Sequence, residues 1–441
     1  MEKTMTDVLL VESPVKNPMR DRYPWSSPPL ILAYTASVLR KNGYEVSAID
    51  LNVGGLNLKR VRNIIEKENP SIVQISTGTE QYLNALQISE AIKKVDPTTK
   101  TVLSGSHPTS RPKEVAKESS VDFVIIGEGE YAMLDLTNSI LSKKTDFSEV
   151  RDLAYREGDE VIMTESSSPL SNVDLPTPAR DLFSLEFYEY PGIIRAAWGG
   201  CPNNCKFCTV PVYRGNEYRA REPKKIVDEV LEVLKFLPPS TPNVIKFMDD
   251  TFSSNKEETL KLSKLFQELD LPIQWEWTFT TRVDVVDEEI LREAYRGECS
   301  TILVGAESGS QRVLDSLDKD ITVNRIREVV DMATDIGLRV NVTFMFPLPE
   351  DDRESIRETV GFMKELKGMG ANLIMSFTTP YPGTFLYENA DDIGINILGS
   401  SWDEFDAKHL LIDTKYLSEK ELKEIHEDIV EEVGFINQLE V

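Results

Sequence analysis

The chain has 441 residues, 40% hydrophobic and 28% charged, enough for about two or three domains, each with its own core. Its 49 Lys and Arg against 74 Asp and Glu leave a net charge of −25, which argues against a nucleic-acid backbone or an anionic membrane as the main partner. No apolar run predicts a membrane span, MEKTMTDVLL at the start lacks the layout of a secretory signal, and four cysteines are too few for a disulfide framework, which points to a reducing cytoplasm.

Residues 1–140 alternate short apolar runs with amphipathic stretches. The runs are VLLVE (8–12), YEVSAID (44–50), SIVQIS (71–76), KTVLSG (100–105) and VDFVIIG (121–127). Helical patterns such as LILAYTASVLRKNG (30–43) and EQYLNALQISEAIKKV (80–95) lie between them. Five strands alternating with helices predict an α/β domain with a doubly wound, five-stranded parallel sheet. Its ligand would sit at the carboxyl ends of the strands, where this chain carries Gly-, Ser- and Pro-rich loops.

Residues 141–190 change in texture. REGDEVIMTE (156–165) reads as a small hairpin, and SPLSNVDLPTPARDLF after it reads as a Pro-rich linker. Alternation resumes over 191–399. The strand candidates are GIIRAAW (192–198), NVIKFMD (243–249), IQWEWTF (273–279), STILVGA (300–306), LRVNVTFMF (338–346) and NLIMSFT (372–378). Six βα units predict a (β/α)6 sheet, closed or partly closed like part of a TIM barrel, with its site at the carboxyl-end loops. Residues 400–441 add no strand repeat and end in a charged helix over 418–439.

Three of the four cysteines fall within eight residues, as Cys201-Pro-Asn-Asn-Cys205-Lys-Phe-Cys208, just past the first strand of the second domain. Thiolates so close are soft ligands for zinc or an iron–sulfur cluster. Zinc wants a second pair of ligands, and His107, His409, His426 and Cys299 are scattered. Three unrelated core cysteines would not sit in a loop holding two Gly, a Pro and two Asn. A three-thiolate site leaves a metal position open for a substrate or cofactor.

On these residues the chain resembles the radical S-adenosylmethionine (SAM) superfamily. Four further stretches carry the likeness: MDDTFSSN (248–255), VGAESGSQRVLDSLDKDIT (304–322), FMFPLPEDDRESIRET (344–359) and TTPYPGTFLY (378–387). They are similar to the subclass with an N-terminal, Rossmann-like cobalamin-binding-type domain, which includes the anaerobic magnesium-protoporphyrin ester cyclase and many C-methyltransferases. The resemblance covers roughly residues 7–390. It implies that Cys201, Cys205 and Cys208 hold a [4Fe–4S] cluster whose open iron binds SAM. It further implies that one electron, from an external donor such as flavodoxin or ferredoxin, cleaves SAM to a 5′-deoxyadenosyl radical that takes hydrogen from a small organic substrate.

The same resemblance suggests SAM contacts. Phe207 is similar to the aromatic beside the adenine, or else packs its loop. Asp249 and Asp250 close the second strand and would accept from the SAM ammonium or ribose, or cap the helix that follows. Glu307 is the next polar contact, with Ser308 and Arg282 after it; Arg282 would pair with the SAM carboxylate or with Asp284. Cys299 reads as a small buried hydrophobe. Trp198 would shield the cluster or pack in the core. Trp275 and Trp277 would pack in the core, with substrate stacking as the alternative.

Cobalamin is the first expectation for the N-terminal domain, although the chain has no Asp-x-His-x-x-Gly. The corrinoid tail would lie along the sheet, with no protein ligand on cobalt or with water, Asn17 or Arg20 at that face; His107 is a weaker candidate ligand. With cobalamin, the implied reaction is C-methylation. Without it, the implied reaction is radical cyclisation, rearrangement or C–C coupling. A nucleic-acid-modifying enzyme is disfavoured by charge and by the lack of a basic appendage. A non-catalytic iron–sulfur or corrinoid carrier would have no use for acidic strand ends. Tyr23, Trp25, Phe385 and Tyr387 suit a lipid, a tetrapyrrole or a natural-product intermediate alike.

Overall fold

A computed structural model describes residues 6–15, 27–167, 175–239 and 241–434. The chain divides into two compact units, Met1–Pro191 with Val212–Arg214, and Gly192–Pro211 with Gly215–Val441.

In the first unit β1 (Val8–Glu12), β2 (Val46–Asp50), β3 (Ile72–Ser76), β4 (Lys100–Ser104) and β5 (Phe123–Ile125) run parallel. Helices Leu30–Lys41, Leu58–Glu68, Tyr82–Val95 and Glu130–Leu141 alternate with them. Because helices cover both faces, the strands read as continuous apolar runs rather than alternating ones. Val8, Leu10, Ile72, Val73, Val102 and Leu103 are all fully buried.

The hairpin is the departure from expectation. β6 (Leu153–Glu157) pairs antiparallel with β5, and β7 (Glu160–Met163) with β6. The sheet is therefore seven-stranded and mixed, in the order β2-β1-β3-β4-β5-β6-β7, not five-stranded and wholly parallel with the hairpin set apart in a linker. Leu153 and Ala154 are fully buried, so the hairpin joins the core and covers the free edge of β5. The connection direction reverses between β1 and β3, which sets the crevice at their carboxyl ends.

In the second unit β8 (Ile193–Ile194), β11 (Val244–Phe247), β12 (Glu276–Thr281), β13 (Cys299–Glu307), β14 (Arg339–Phe346) and β15 (Asn372–Phe377) form one parallel sheet in chain order. Between β8 and β11 a separate antiparallel pair forms from β9 (Ala197–Gly199) and β10 (Tyr218–Ala220). No ladder joins β8 to β15 among the described residues, so the barrel is partial. The strand expected over 192–198 is broken in two. Asp249 accepts hydrogen bonds from the amides of Ala196 (2.9 Å) and Ala197 (2.7 Å), which takes those donors out of the ladder.

Side chains alternate along the inner strands as a two-residue period requires. Ile245, Phe247, Trp277, Phe279, Ile302, Val304, Val342 and Phe344 join the outer core with the helices. Trp277 stacks on Phe279 with centroids 5.4 Å apart and donates Nε1–H to the Gly297 carbonyl at 2.6 Å. Its role is packing. The inward set is Lys246, Thr278, Thr280, Thr301, Leu303, Gly305, Asn341 and Thr343, all half-buried. A closed barrel fills this space with Val, Ile and Leu; here it is largely polar and stays open.

Beyond residue 400 a helix spans Glu419–Val433 and ties to helix Arg353–Gly368 through Arg353–Glu421 and the Lys367 ammonium on the Val433 carbonyl. The part of the expected C-terminal helix past residue 434 lies outside the described residues.

Candidate active site

The loop that carries the cysteines is built on two glycines. Gly199 has φ +80°, and a Cβ there would lie 2.1 Å from the Glu217 carbonyl oxygen. A Cβ on Gly200 would lie 1.7 Å from that of Gly215. Only bare backbone permits this approach, and it brings Cys201 directly off β9 into the mouth of the sheet.

All three cysteines line one cavity of about 390 Å³ at the carboxyl ends of the strands, within the range of small-molecule sites. Donors are aimed at two of the sulfurs. Asn203 Nδ2 and Thr251 Oγ1 each donate to Cys201 Sγ at 3.4 Å, and Arg282 Nη1 donates to Cys205 Sγ at 3.2 Å. Burial pushes the Cys208 thiol up to about 12 and raises Cys205 against the pull of Arg282. As bare thiols they stay protonated, and binding iron would have to displace those protons. Among the described residues no group of three His, Cys, Asp or Glu side chains is arranged to hold a single metal ion. An iron–sulfur cluster needs a thiolate on each of several irons rather than three on one. Three cysteines around one cavity, with N–H and O–H donors to sulfur, fit that requirement.

Five of the six other expected positions line the same cavity: Phe207, Asp249, Asp250, Arg282 and Glu307. Ser308 does not. Its hydroxyl meets Thr359 Oγ1 at 3.1 Å and accepts from the Ser310 amide at 3.1 Å, so it braces the turn after β13. Asp249 is buried and spends its two oxygens on the Ala196 and Ala197 amides. Burial, opposed by Arg195, lifts it to about 6. Asp250 lies 3.6 Å from the Arg195 guanidinium. Arg282 grips Asp284 through two hydrogen bonds, at 2.9 and 3.0 Å, while a third N–H reaches Cys205. Of the two partners expected for it, Asp284 is the one that Arg282 pairs with here, and another N–H faces Cys205.

Lys319 was not singled out in the sequence. It is 4% exposed, pairs with Glu307, donates to the Gly305 carbonyl at 2.8 Å and stands 5.8 Å from the Phe207 ring centroid. Nothing in DSLDKDIT marks that lysine, because its partners are set by the turn at Glu307, where φ is +63°. Arg195 was likewise missed. It lies beneath β9, 5.4 Å from the Trp198 ring; Trp198 packs there and does not line the cavity. Cys299 is buried at the opposite end of β13, its thiol toward the Thr301 carbonyl. Phe385 is exposed beneath the Lys206 ammonium, and Tyr387 packs near Trp402. Asn17, Arg20, Tyr23 and Trp25 lie outside the described residues.

In the first unit, polar side chains gather at the carboxyl ends of β1 to β4. Glu12 ends β1, and Asp50 ends β2 and accepts from the Tyr188 hydroxyl at 2.9 Å. Gln74, 2% exposed, donates to Ser104 Oγ at 2.9 Å, but its Oε1 has no hydrogen-bond partner among the described residues. Gly105 has φ +114°, and a Cβ there would meet the Thr77 carbonyl oxygen at 2.3 Å. A buried unused acceptor beside Ser, Thr and Gly fits the polar tail of a nucleotide-bearing cofactor. His107 is fully buried, stacked on Tyr82 at 4.1 Å, and held neutral by burial at a pKa of about 4.

Comparison with known proteins agrees with both halves. Residues 21–137 match the B12 binding domain family, and residues 197–363 the radical SAM superfamily. An uncharacterised methyltransferase of Pyrococcus horikoshii is 29% identical over 95% of this chain and 90% of its own length. The anaerobic magnesium-protoporphyrin IX monomethyl ester cyclase of Rubrivivax gelatinosus is 27% identical over 83% of this chain and 66% of its own length. The fold is that of the radical SAM methyltransferase TsrM from Kitasatospora setae, solved with cobalamin and a [4Fe–4S] cluster bound. The TM-score is 0.76, with 16% identity over 98% of this chain and 88% of TsrM. No helix among the described residues is long and apolar enough to cross a membrane.

Proposed function

We propose, since the chain joins a B12 binding domain to a domain of the radical SAM superfamily, that it is a cobalamin-dependent radical SAM methyltransferase that methylates carbon in a small organic molecule. The observation that carries this reading is the convergence of Cys201, Cys205 and Cys208 with Asp249, Asp250, Arg282 and Glu307 on one cavity. When bound, a [4Fe–4S] cluster with SAM supplies the radical that removes substrate hydrogen, and a corrinoid supplies the methyl group.

The chain's own residues have separate tasks. The three cysteines would hold the cluster, with Arg282, Thr251 and Asn203 donating to sulfur. Such donors stabilise negative charge on the sulfurs and tune the reduction potential. Asp249 fixes the backbone that leads into the cysteine loop and so acts on position rather than on substrate. Lys319 holds Glu307 and Arg282 together, accepting from Arg282 through its carbonyl and pairing with Glu307 through its ammonium. Phe207 would flank the adenine. Arg282 and Lys319 bring positive charge to the cluster end of the cavity, where the SAM carboxylate would need it. In the first unit, Gln74, Ser104 and the bare backbone at Gly105 would receive the corrinoid tail.

The electron would come from an external donor of the flavodoxin or ferredoxin kind. Four free cysteines suit a reducing cytoplasm, and the net charge of −25 speaks against a nucleic-acid substrate.

Anaerobic reconstitution tests the reading. The protein should take up about four irons per chain, form 5′-deoxyadenosine only with SAM and reductant, and carry a corrinoid spectrum after expression in cobalamin-fed cells. Iron uptake without SAM cleavage would make it a carrier. SAM cleavage without corrinoid would favour cyclisation or rearrangement, the reading to which the likeness to an ester cyclase lends support.

A further inference from the structure

Between Cys205 and Cys208, Lys206 is tied to distant segments through all three of its polar groups. Its amide donates to the Leu317 carbonyl at 3.0 Å, its carbonyl accepts from the Leu386 amide at 3.2 Å, and its ammonium donates to the Ser316 carbonyl at 2.8 Å. The same ammonium pairs with Asp318 at 3.2 Å and lies 5.2 Å from the Phe385 ring centroid. Helix Gln311–Ser316 ends at these carbonyls. The last carbonyls of a helix have no partner within it and lie at its negative end. Lys206 therefore caps that helix from outside, with an N–H on each of two successive carbonyls.

The turn it holds leads straight to the cavity. Asp318 and Asp320, on either side of Lys319, both take left-handed backbone, with φ +51° and +56°. Two such residues in one turn persist only where surrounding contacts hold them. On its far side the turn sends the Lys319 ammonium to Glu307, and the Lys319 carbonyl accepts from Arg282, whose next N–H reaches Cys205 Sγ at 3.2 Å. The contacts close a ring that runs from Cys205 through Lys206, the turn at 316–319 and Arg282 back to Cys205. Phe207 packs against Val313, Leu317 and Leu348 beside the same turn. Among the described residues the Lys206 ammonium touches the turn and Phe385, so its influence on sulfur runs through the turn.

We propose that Lys206 is a positioning residue. By holding the end of helix Gln311–Ser316 it fixes the turn at 316–319, and through Lys319 and Arg282 it sets the hydrogen bond to Cys205 Sγ that tunes the reduction potential of the bound cluster. This rests on the radical SAM reading, because the effect is read on a [4Fe–4S] cluster held by the three cysteines.

A double-mutant cycle on anaerobically reconstituted full-length protein tests it, read by redox titration with electron paramagnetic resonance. K206M should lower the midpoint potential, in the same direction as R282M, by a threefold or larger change in the reduction equilibrium, about 30 mV for a one-electron couple. In the R282M background K206M should produce less than a third of that shift. K206R keeps N–H donors for Ser316 and Asp318 and should recover most of the wild-type potential. Loss of a positive charge acting directly on the cluster would lower the potential equally in both backgrounds. Equal shifts therefore overturn the proposal, and so does an unchanged potential in K206M. The potential is read on loaded clusters alone, so a variant that merely loads fewer chains does not move it. D318N keeps the test open if K206M does not fold. It releases one partner of the ammonium and should lower the potential in the wild-type background and leave R282M unchanged. Removal of a negative charge acting directly would raise the potential, and a rise or no change in D318N overturns the proposal. Failure of wild type to take up iron or cleave SAM would instead sink the functional reading. The cycle needs only the cluster, so the two failures are distinguishable.

Discussion

Arg282 places a guanidinium N–H 3.2 Å from the sulfur of Cys205 while Asp284 holds the other side of the same guanidinium. The two residues are 77 positions apart. A cation donating to a cluster sulfur favours the more negative, reduced state. Arg282→Met should therefore lower the midpoint potential of the reconstituted cluster by roughly 60 mV, a tenfold change for a one-electron couple, with Arg282→Lys in between. A redox titration followed by electron paramagnetic resonance reads this directly; an unchanged potential in the methionine variant would contradict the contact.

Replacing Cys201, Cys205 or Cys208 by alanine should in each case abolish the brown absorbance, reduce bound iron and reduce 5′-deoxyadenosine formation to background. Cys299→Ala should leave iron content alone, because that thiol lies at the other end of its strand. Its cost is a small cavity, about 1 kcal/mol in urea unfolding. Loss of iron from the Cys299 variant would show that the ligand set is wrong.

Asp249 spans 53 positions to reach the Ala196 amide. Asp249→Ala leaves two buried amides without acceptors and should destabilise the protein by about 2–4 kcal/mol. Asp249→Asn keeps one acceptor oxygen and should cost less. If Asp249 instead touched SAM, the asparagine variant would show weakened SAM binding with stability near wild type; equilibrium dialysis and urea titration on the same samples separate the two.

Gly200→Ala tests the close approach of backbone to the cysteine loop. Its methyl group would collide with the Gly215 carbonyl oxygen, so the loop must shift. Iron occupancy after reconstitution should fall while far-ultraviolet circular dichroism stays the same. Full occupancy in this variant would mean that the loop tolerates the displacement.

Burial, reinforced by the Asp50 carboxylate, pushes Glu12 from 4.5 up to about 8. The folded protein thus holds this proton more tightly than the unfolded chain does. The stabilisation is complete below pH 4.5 and is lost as pH rises through about 8. Stability should fall across that window, and Glu12→Gln should flatten the fall and exceed wild type at its upper end by about 2 kcal/mol. Urea titrations of both proteins across the window check it; parallel profiles would refute the assignment.

Much of this molecule was legible before folding. The inner strands of both sheets stood out as apolar or alternating runs, and the Cys201–Cys208 spacing together with GAESGS was enough to identify the chemistry, because both signals lie within a few consecutive residues. The tertiary structure decided the rest. It moved the 153–163 hairpin onto the edge of β5, turned Ser308 away from the cavity, committed Asp249 to backbone amides, and joined Lys319 to Glu307. These outcomes depend on hydrogen bonds and packing between segments distant along the chain. Local periodicity says which way a side chain faces on its own strand, and says nothing of what another strand brings to meet it.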